Sequence, residues 1–265
     1  KPDLVILDEP VRILTQFFIL RLLNIPMIWN IHAEKSLTKN KILFKWIYKY
    51  LLKKKLTIIS DSKYLLSKNL LYIKDCLYPN FDNIPIVHAT VNLNTFLPKN
   101  KKLNIDNRKE NTIIFGSIGR LNWAKGYDLL IEALYKIKEE HPNFYLKIAG
   151  DGPYRKRLEN MIDKYCLRKN ILILGELHYN DIPKFLLSID LYIQPSISEG
   201  SPITLKEAMA SSLPILASTA GGIPEIIEHN KTGILFENKN IFELEKGLKK
   251  IITMNKSQRK DMGLE

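Results

Sequence analysis

Hydrophobic positions along this chain fall into two alternating textures. One is a series of short, dense runs of β-branched and aliphatic residues; the other is a series of longer stretches with apolar residues three and four positions apart. Short apolar runs bounded by Gly, Pro, Asn or Asp predict strands, and the periodic stretches predict amphipathic helices packed on them. In the first third, strands are predicted at "DLVIL" (3–7), "PMIWNI" (26–31), "LTIIS" (56–60) and "IPIVHA" (84–89), with helices near 10–23, 40–55 and 61–69. Residues 98–111, "PKNKKLNIDNRKEN", are polar, lysine-rich and non-periodic, which predicts a linker. The alternation then restarts. Strands are predicted at "TIIFGSI" (112–118), "FYLKIAG" (144–150), "ILILG" (171–175), "DLYIQPS" (190–196), "PILAS" (214–218) and "GILF" (233–236), and helices near 127–140, 153–165, 180–188, 202–211, 222–229 and 241–253.

Strand–helix alternation builds parallel sheets covered by helices. The expected fold is therefore α/β, with two doubly wound parallel-sheet domains: 1–98, a linker at 99–111, and 112–265. The chain has no initiator Met and opens almost directly on a strand, so the first domain is expected to be incomplete at its N-terminal side. In such domain pairs ligands bind beyond the carboxyl ends of the strands, often between the domains.

Composition narrows the classes. A chain of 265 residues, 45% hydrophobic, can bury two cores. Two cysteines, Cys76 and Cys166, are no disulfide framework, so a reducing compartment, the cytoplasm, is expected. The densest apolar run, "LTQFFILRLL", is interrupted by Arg21 and is shorter than the roughly 20 residues of a spanning helix. The net charge of +12 is uneven: residues 1–110 hold 19 Lys and Arg against 9 Asp and Glu. The excess clusters in 34–55, "EKSLTKNKILFKWIYKYLLKKK"; within it, over 41–55, Lys41, Lys45, Lys49 and Lys53 form one helical stripe and Leu43, Trp46, Ile47, Tyr50 and Leu51 another arc. Such a helix can lie on an anionic membrane surface, and it can equally pack on a core with its lysines solvated. No nucleic-acid-binding motif accompanies the charge, so nucleic acid is not an expected partner.

Candidate chemistry concentrates in two stretches. In "SEGSPITLKEAMASSLPILAS" (198–218), Glu199 and Glu207 flank a predicted helix start, with Ser201 as N-cap and Pro202 as first helical residue. The N–H groups of residues 202–204 would then favour an anion. Eight helical residues span about 12 Å, whereas the two carboxyls of a retaining hydrolase sit about 5–5.5 Å apart. Two acceptors at the ends of a long, hydroxyl-rich ligand fit that spacing better; two solvated carboxylates fit it as well. In "FGSIGRLNWAKGYDLLIEAL" (115–134), Gly116 and Gly119 permit a tight strand-to-helix turn, and Arg120 and Lys125 place two cations on it. Together these could balance a diphosphate, or they could be surface cations. No His/Cys/Asp grouping shows metal-ligand spacing, so no metal and no cofactor are expected.

In this order, "GSIGRLNWAKG", "LKIAGDGP", "SEGSPITLKEAMASSLPILASTAGGIPEII" and "NKTGILF" resemble the retaining glycosyltransferases of family 4, whose fold is GT-B: two Rossmann-like domains. "VNLNTFLP" (91–98), "KPDLVIL" and "PMIWNIHAE" resemble further segments of that family, and the glutamate pair matches its E-x7-E signature. The resemblance implies transfer of a sugar from a nucleoside diphosphate, with retention, to a glycan or lipid-linked acceptor in cell-surface polysaccharide or glycolipid synthesis. It implies that Arg120 and Lys125 hold the donor diphosphate, that Glu207 holds the ribose hydroxyls, and that Glu199 stands beside the donor sugar and the reacting centre. It implies that Gly119, Gly200, Ser201, Pro202 and Ile203 line phosphate and sugar, that Gly150, Asp151 and Gly152 border the nucleotide, and that Gly175 and Glu176 lie near the base. His32 matches a first-domain histidine that reaches the donor sugar. The basic 41–55 helix would then place the enzyme peripherally at the inner face of the plasma membrane.

The sequence departs from the family pattern in three places. Ser201 replaces a larger apolar residue, "ATVNLN" lacks an Asn-Gly turn, and the glycine-rich loop that opens the family's first domain is not in this chain. A module that binds a nucleotide-sugar without transferring it is the competing reading. A GT-B phosphorylase is a third, but no sequence context for its pyridoxal-phosphate lysine is seen.

Overall fold

A computed structural model of the chain describes residues 4–7, 26–31, 56–73, 84–97 and 112–264. The chain divides into two compact units, Lys1–Ala89 and Thr90–Glu265. The helices expected near 10–23 and 40–55, and the linker at 98–111, lie outside the described residues.

In the first unit, β1 (Val5–Leu7), β2 (Met27–Ile31) and β3 (Leu56–Ser60) form a parallel sheet in the order β1-β2-β3. The alternation of β2 explains its burial: Met27, Trp29 and Ile31 are buried, and the residues between them are half-buried. Helix α1 (Lys63–Ile73) starts where the Ser62 hydroxyl accepts the N–H of Leu65. The strand expected at 84–89 is reduced to one bridge, Ser60 to Ile86. Pro85 has no N–H to donate, so the ladder cannot extend through it.

The second unit opens with a short helix, α2 (Leu93–Phe96), capped by the side chain of Asn92. Its main sheet has six parallel strands: β4 (Ile113–Ile118), β5 (Phe144–Ala149), β6 (Ile171–Gly175), β7 (Leu191–Gln194), β8 (Ile215–Ser218) and β9 (Ile234–Phe236), in the order β6-β5-β4-β7-β8-β9. Helices α3 (Tyr127–Ile137), α4 (Arg155–Lys164), α5 (Ile182–Leu187), α6 (Ile203–Ala210) and α7 (Ile241–Thr253) connect or flank them. A last helix, α8 (Lys256–Leu264), has no apolar stripe and was not expected.

Strand periodicity divides the core into two layers. Phe115, Leu191, Ile193 and Leu216 face one cluster with Leu130, Leu134 and Leu248; Ile114, Tyr192, Ile215 and Ala217 face the other with Phe185, Leu205 and Phe96. Every residue of β4, β7 and β8 is buried, as in a sheet covered on both faces. Each fully buried aliphatic side chain contributes about 1.5–3 kcal/mol, so the central strands are the firmest part of the unit.

The helix expected at 222–229 is a single 3-10 turn, Ile223–Glu225. Beyond it the Glu228 N–H binds the Thr232 hydroxyl and the Asn230 N–H binds the Gly233 carbonyl, which turns the chain toward β9 before a second helical turn can form.

Candidate functional site

The strand order reverses direction of growth between β4 and β7, where the loops that follow these two strands diverge to opposite sides. Such a switch point opens a crevice at the carboxyl ends of the strands. Both stretches singled out from sequence fall on these loops: 119–126 follows β4, and 195–202 follows β7.

Backbone contacts hold the two loops against each other. The N–H groups of Ile197 and Ser198 both donate to the Ala124 carbonyl, at 2.7 and 3.1 Å. Trp123–Lys125 form a 3-10 turn capped by the Asn122 side chain and closed by Gly126, which adopts φ 65°. A Cβ on Gly126 would stand 2.0 Å from the Pro195 carbonyl oxygen, so only glycine permits this approach. On the other side, the Gly119 N–H donates to Ala149, the Leu121 N–H to Asp151, and the Gly150 N–H to Gly175, lacing the ends of β4, β5 and β6 together. Gly150, at φ 143°, admits no side chain, since its Cβ would meet the Gly119 carbonyl oxygen at 2.0 Å.

Glu199 and Lys125 meet on this framework. Lys125 Nζ lies 2.5 Å from Glu199 Oε2, and the side chains are only 19% and 15% exposed. The same oxygen accepts from Ser196 Oγ at 3.1 Å and Gln194 Nε2 at 3.3 Å. Solvent screens a pair this enclosed far less than a surface bridge. Tyr127 lies beneath, its hydroxyl 3.4 Å from the Gly119 carbonyl; burial pushes its ionisation well above the ordinary phenol value.

Glu207 differs. It is 3% exposed on α6, and its Oε2 has no hydrogen-bond partner among the described residues. Burial pushes its carboxyl up from the ordinary 4.5. An ionised carboxylate is expensive to bury unpaired.

The start of α6 departs from expectation. Pro202 is the N-cap, at φ −69° and ψ 116°, and Ile203 is the first helical residue. Ser201 makes no cap; its hydroxyl accepts from Lys206 Nζ at 2.9 Å. Proline has no N–H, so the orphan donors are those of residues 203–205, not 202–204.

The other expected residues are placed as follows. Gly119, Gly150, Asp151, Gly152 and Gly175 sit at the carboxyl ends of β4, β5 and β6. The Asp151 carboxylate accepts the Gly152 N–H and pairs with Arg155 at 2.7 Å; both hold its ionisation below the usual range. Arg120 and Glu176 are exposed, and Arg120 has no hydrogen-bond or ion-pair partner among the described residues. His32 lies outside the described residues. Sequence reasoning missed Tyr192, Gln194 and Ser196, which surround Glu199 from below. Their signal was a glutamine at the end of an otherwise apolar buried strand and a serine just beyond it.

The family model described as "Glycosyl transferases group 1" matches residues 98–263. That is more than half of the chain, which belongs to this family. An uncharacterized glycosyltransferase of Haemophilus influenzae is 34% identical over 165 residues, 62% of this chain and 45% of that protein. Escherichia coli K12 WcaL, whose name assigns it as a glycosyltransferase to colanic acid biosynthesis, is 34% identical over 125 residues, 45% of this chain and 31% of that protein. These matches span less than half the length of either relative. Anabaena HepE, in a structure with UDP and glucose, superposes with TM-score 0.82 at 20% identity, covering 99% of this chain and 71% of that one. The fold is that of the GT-B glycosyltransferases, with Rossmann-like parallel-sheet domains.

Proposed function

We propose that this group 1 family member is a retaining glycosyltransferase of family 4 that binds a nucleoside diphosphate-sugar at the β4/β7 switch point. The sugar passes to a glycan or lipid-linked acceptor in cell-surface polysaccharide or glycolipid synthesis, the setting that WcaL's name gives for that relative. The observation that carries the reading is Glu207: a buried carboxylate oxygen without a partner, eight residues after a glutamate held by a lysine. A ribose diol supplies two hydroxyl donors to such an oxygen, each charge-assisted bond contributing about 1.5–3 kcal/mol.

The chemistry follows from charge. When the glycosidic bond breaks, negative charge grows on the leaving diphosphate and positive charge on the anomeric carbon. Arg120, Lys125 and the N–H groups at the start of α6 meet the first; Glu199 meets the second. These groups carry the charge without a cofactor. Lys125 then serves both sides, since the ammonium that faces the diphosphate also fixes Glu199. His32 is carried as a donor-sugar residue on the resemblance of "PMIWNIHAE" alone.

A thermal-shift panel of UDP, GDP, ADP and their sugars, run on wild type and Glu207→Gln, tests the reading. UDP comes first because HepE binds it. A nucleoside diphosphate at a hundred times its Kd raises stability by about 2.7 kcal/mol. One of the three is expected to stabilise wild type and to stabilise Glu207→Gln much less. Equal shifts in both proteins would remove Glu207 from the site. Donor binding without any turnover, to acceptor or to water, would favour the nucleotide-sugar binding module.

A further inference from the structure

The end of strand β7 and the loop just past it carry polar side chains where the surroundings are fully buried. Gln194 is 1% exposed and Ser196 is fully buried. A buried amide left unsatisfied costs about 1–3 kcal/mol, so its presence in a central strand calls for a reason. Tyr192 and Gln194 are two apart and fall on one face of β7, and Ser196, two residues past its end, meets them through Gln194. Their polar atoms join in a single direction. The chain begins at the Tyr192 hydroxyl. That hydroxyl donates to Gln194 Oε1 at 2.8 Å. Gln194 Nε2 then donates to Ser196 Oγ at 2.8 Å and to Glu199 Oε2 at 3.3 Å, and Ser196 Oγ donates to Glu199 Oε2 at 3.1 Å. Glu199 sets the amide's orientation: a carboxylate only accepts, so the nitrogen faces Glu199 and the oxygen faces the Tyr192 hydroxyl. Burial raises the Tyr192 ionisation far above the ordinary phenol value, so the hydroxyl keeps its proton at any physiological pH.

We propose that Gln194 is a positioning residue for glycosyl transfer: the buried Tyr192–Gln194–Ser196 chain, with Lys125, pins one oxygen of Glu199 to the end of β7 and presents the other to the donor sugar. This rests on the reading of Glu199 given above. A carboxylate held on one oxygen by three donors has one orientation rather than several, and catalysis depends on such preorganisation. Gln194 touches no substrate in this account; it acts through Glu199.

Two experiments on the full chain test it. In a crystal structure of Gln194→Leu, the Glu199 side chain is expected to leave its position on Lys125; an unmoved carboxylate overturns the inference and requires no knowledge of the donor. The second is a double-mutant cycle on donor turnover with Gln194→Leu and Glu199→Gln. Gln194→Leu is expected to lower kcat about tenfold with donor KM within twofold, and to cost less than twofold once Glu199 is already Gln. Additive losses would make the chain a merely structural network and overturn the inference while the role of Glu199 stands. Unchanged kcat in Glu199→Gln alone would remove the reading beneath it and overturn both. Tyr192→Phe keeps the ring and removes only the hydroxyl. It is expected to show the same coupling with a smaller loss, and additivity there is decisive even if Gln194→Leu fails to fold.

Discussion

Lys125 and Glu199 lie 74 positions apart in sequence, yet Lys125 Nζ sits 2.5 Å from Glu199 Oε2 and joins the loops that follow β4 and β7. The pair ties the two halves of the candidate site together. A lysine read from sequence as a diphosphate ligand is also the partner that orients a glutamate.

This dual role predicts the behaviour of Lys125→Met. Removing the cation takes one restraint from Glu199 and, on the proposed reading, one stabilising charge from the leaving diphosphate. Turnover is expected to fall on the order of 10²–10³-fold. Calorimetric titration should show weakened binding of the nucleoside diphosphate but unchanged binding of the bare nucleoside. Equal weakening of both would place Lys125 away from the phosphates.

Glu207 is expected to oppose stability to function. Its carboxyl is raised by burial in the folded protein, so the folded state binds that proton more tightly than the unfolded chain. Its contribution to stability is therefore greatest at low pH and declines as pH rises through the unfolded value toward the folded one. Glu207→Gln removes that charge. At neutral pH the variant is expected to be more stable than wild type without ligand, by about 1 kcal/mol, and the difference should vanish as pH falls below the unfolded carboxyl's titration. Thermal denaturation between pH 4 and about 8 checks this, a range that brackets the ordinary carboxyl value. A variant less stable than wild type at neutral pH would mean that the carboxylate is satisfied internally.

The order of elements in the second unit was legible because each buried strand is a dense apolar run. β4 to β9 all fall within the runs expected, and the β4 and β7 loops hold the motifs expected to do chemistry. What was not legible depends on contacts distant in sequence. Nothing local in "SEGSPIT" says that Pro202 takes the cap and that Ser201 turns instead to Lys206. Nothing local says that Lys125 reaches Glu199, because their meeting is set by the strand order. Gln194 could have been flagged as polar within a buried strand, but its partners two residues to either side become visible only once the strand's face is known. The 222–229 helix failed because an apolar, helix-spaced stretch was broken by the turn that Thr232 and Gly233 impose from beyond it.

Residues 41–55 lie outside the described residues, and among those described no helix is long and apolar enough to cross a membrane. The lysine stripe in that sequence still makes a prediction: the full-length protein should sediment with vesicles containing anionic lipid, and binding should weaken as salt rises from about 0.05 to 0.5 M. Replacing Lys41, Lys45, Lys49 and Lys53 with Gln is expected to abolish it. Equal binding to neutral vesicles would contradict a peripheral membrane role for this segment.

The most direct measurement is steady-state kinetics of donor turnover by Glu199→Gln and Glu207→Gln in the full-length enzyme. On the proposed reading Glu207 holds a part of the donor that does not change as the bond breaks, so its loss is expected to raise donor KM and leave kcat within a few-fold. On the same reading Glu199 faces the carbon where positive charge develops, so its loss is expected to lower kcat on the order of 10²–10³-fold with KM little changed. If both variants altered KM alone, or if neither altered the kinetics, the two carboxylates would not divide donor binding from catalysis, and the account of this site would be wrong.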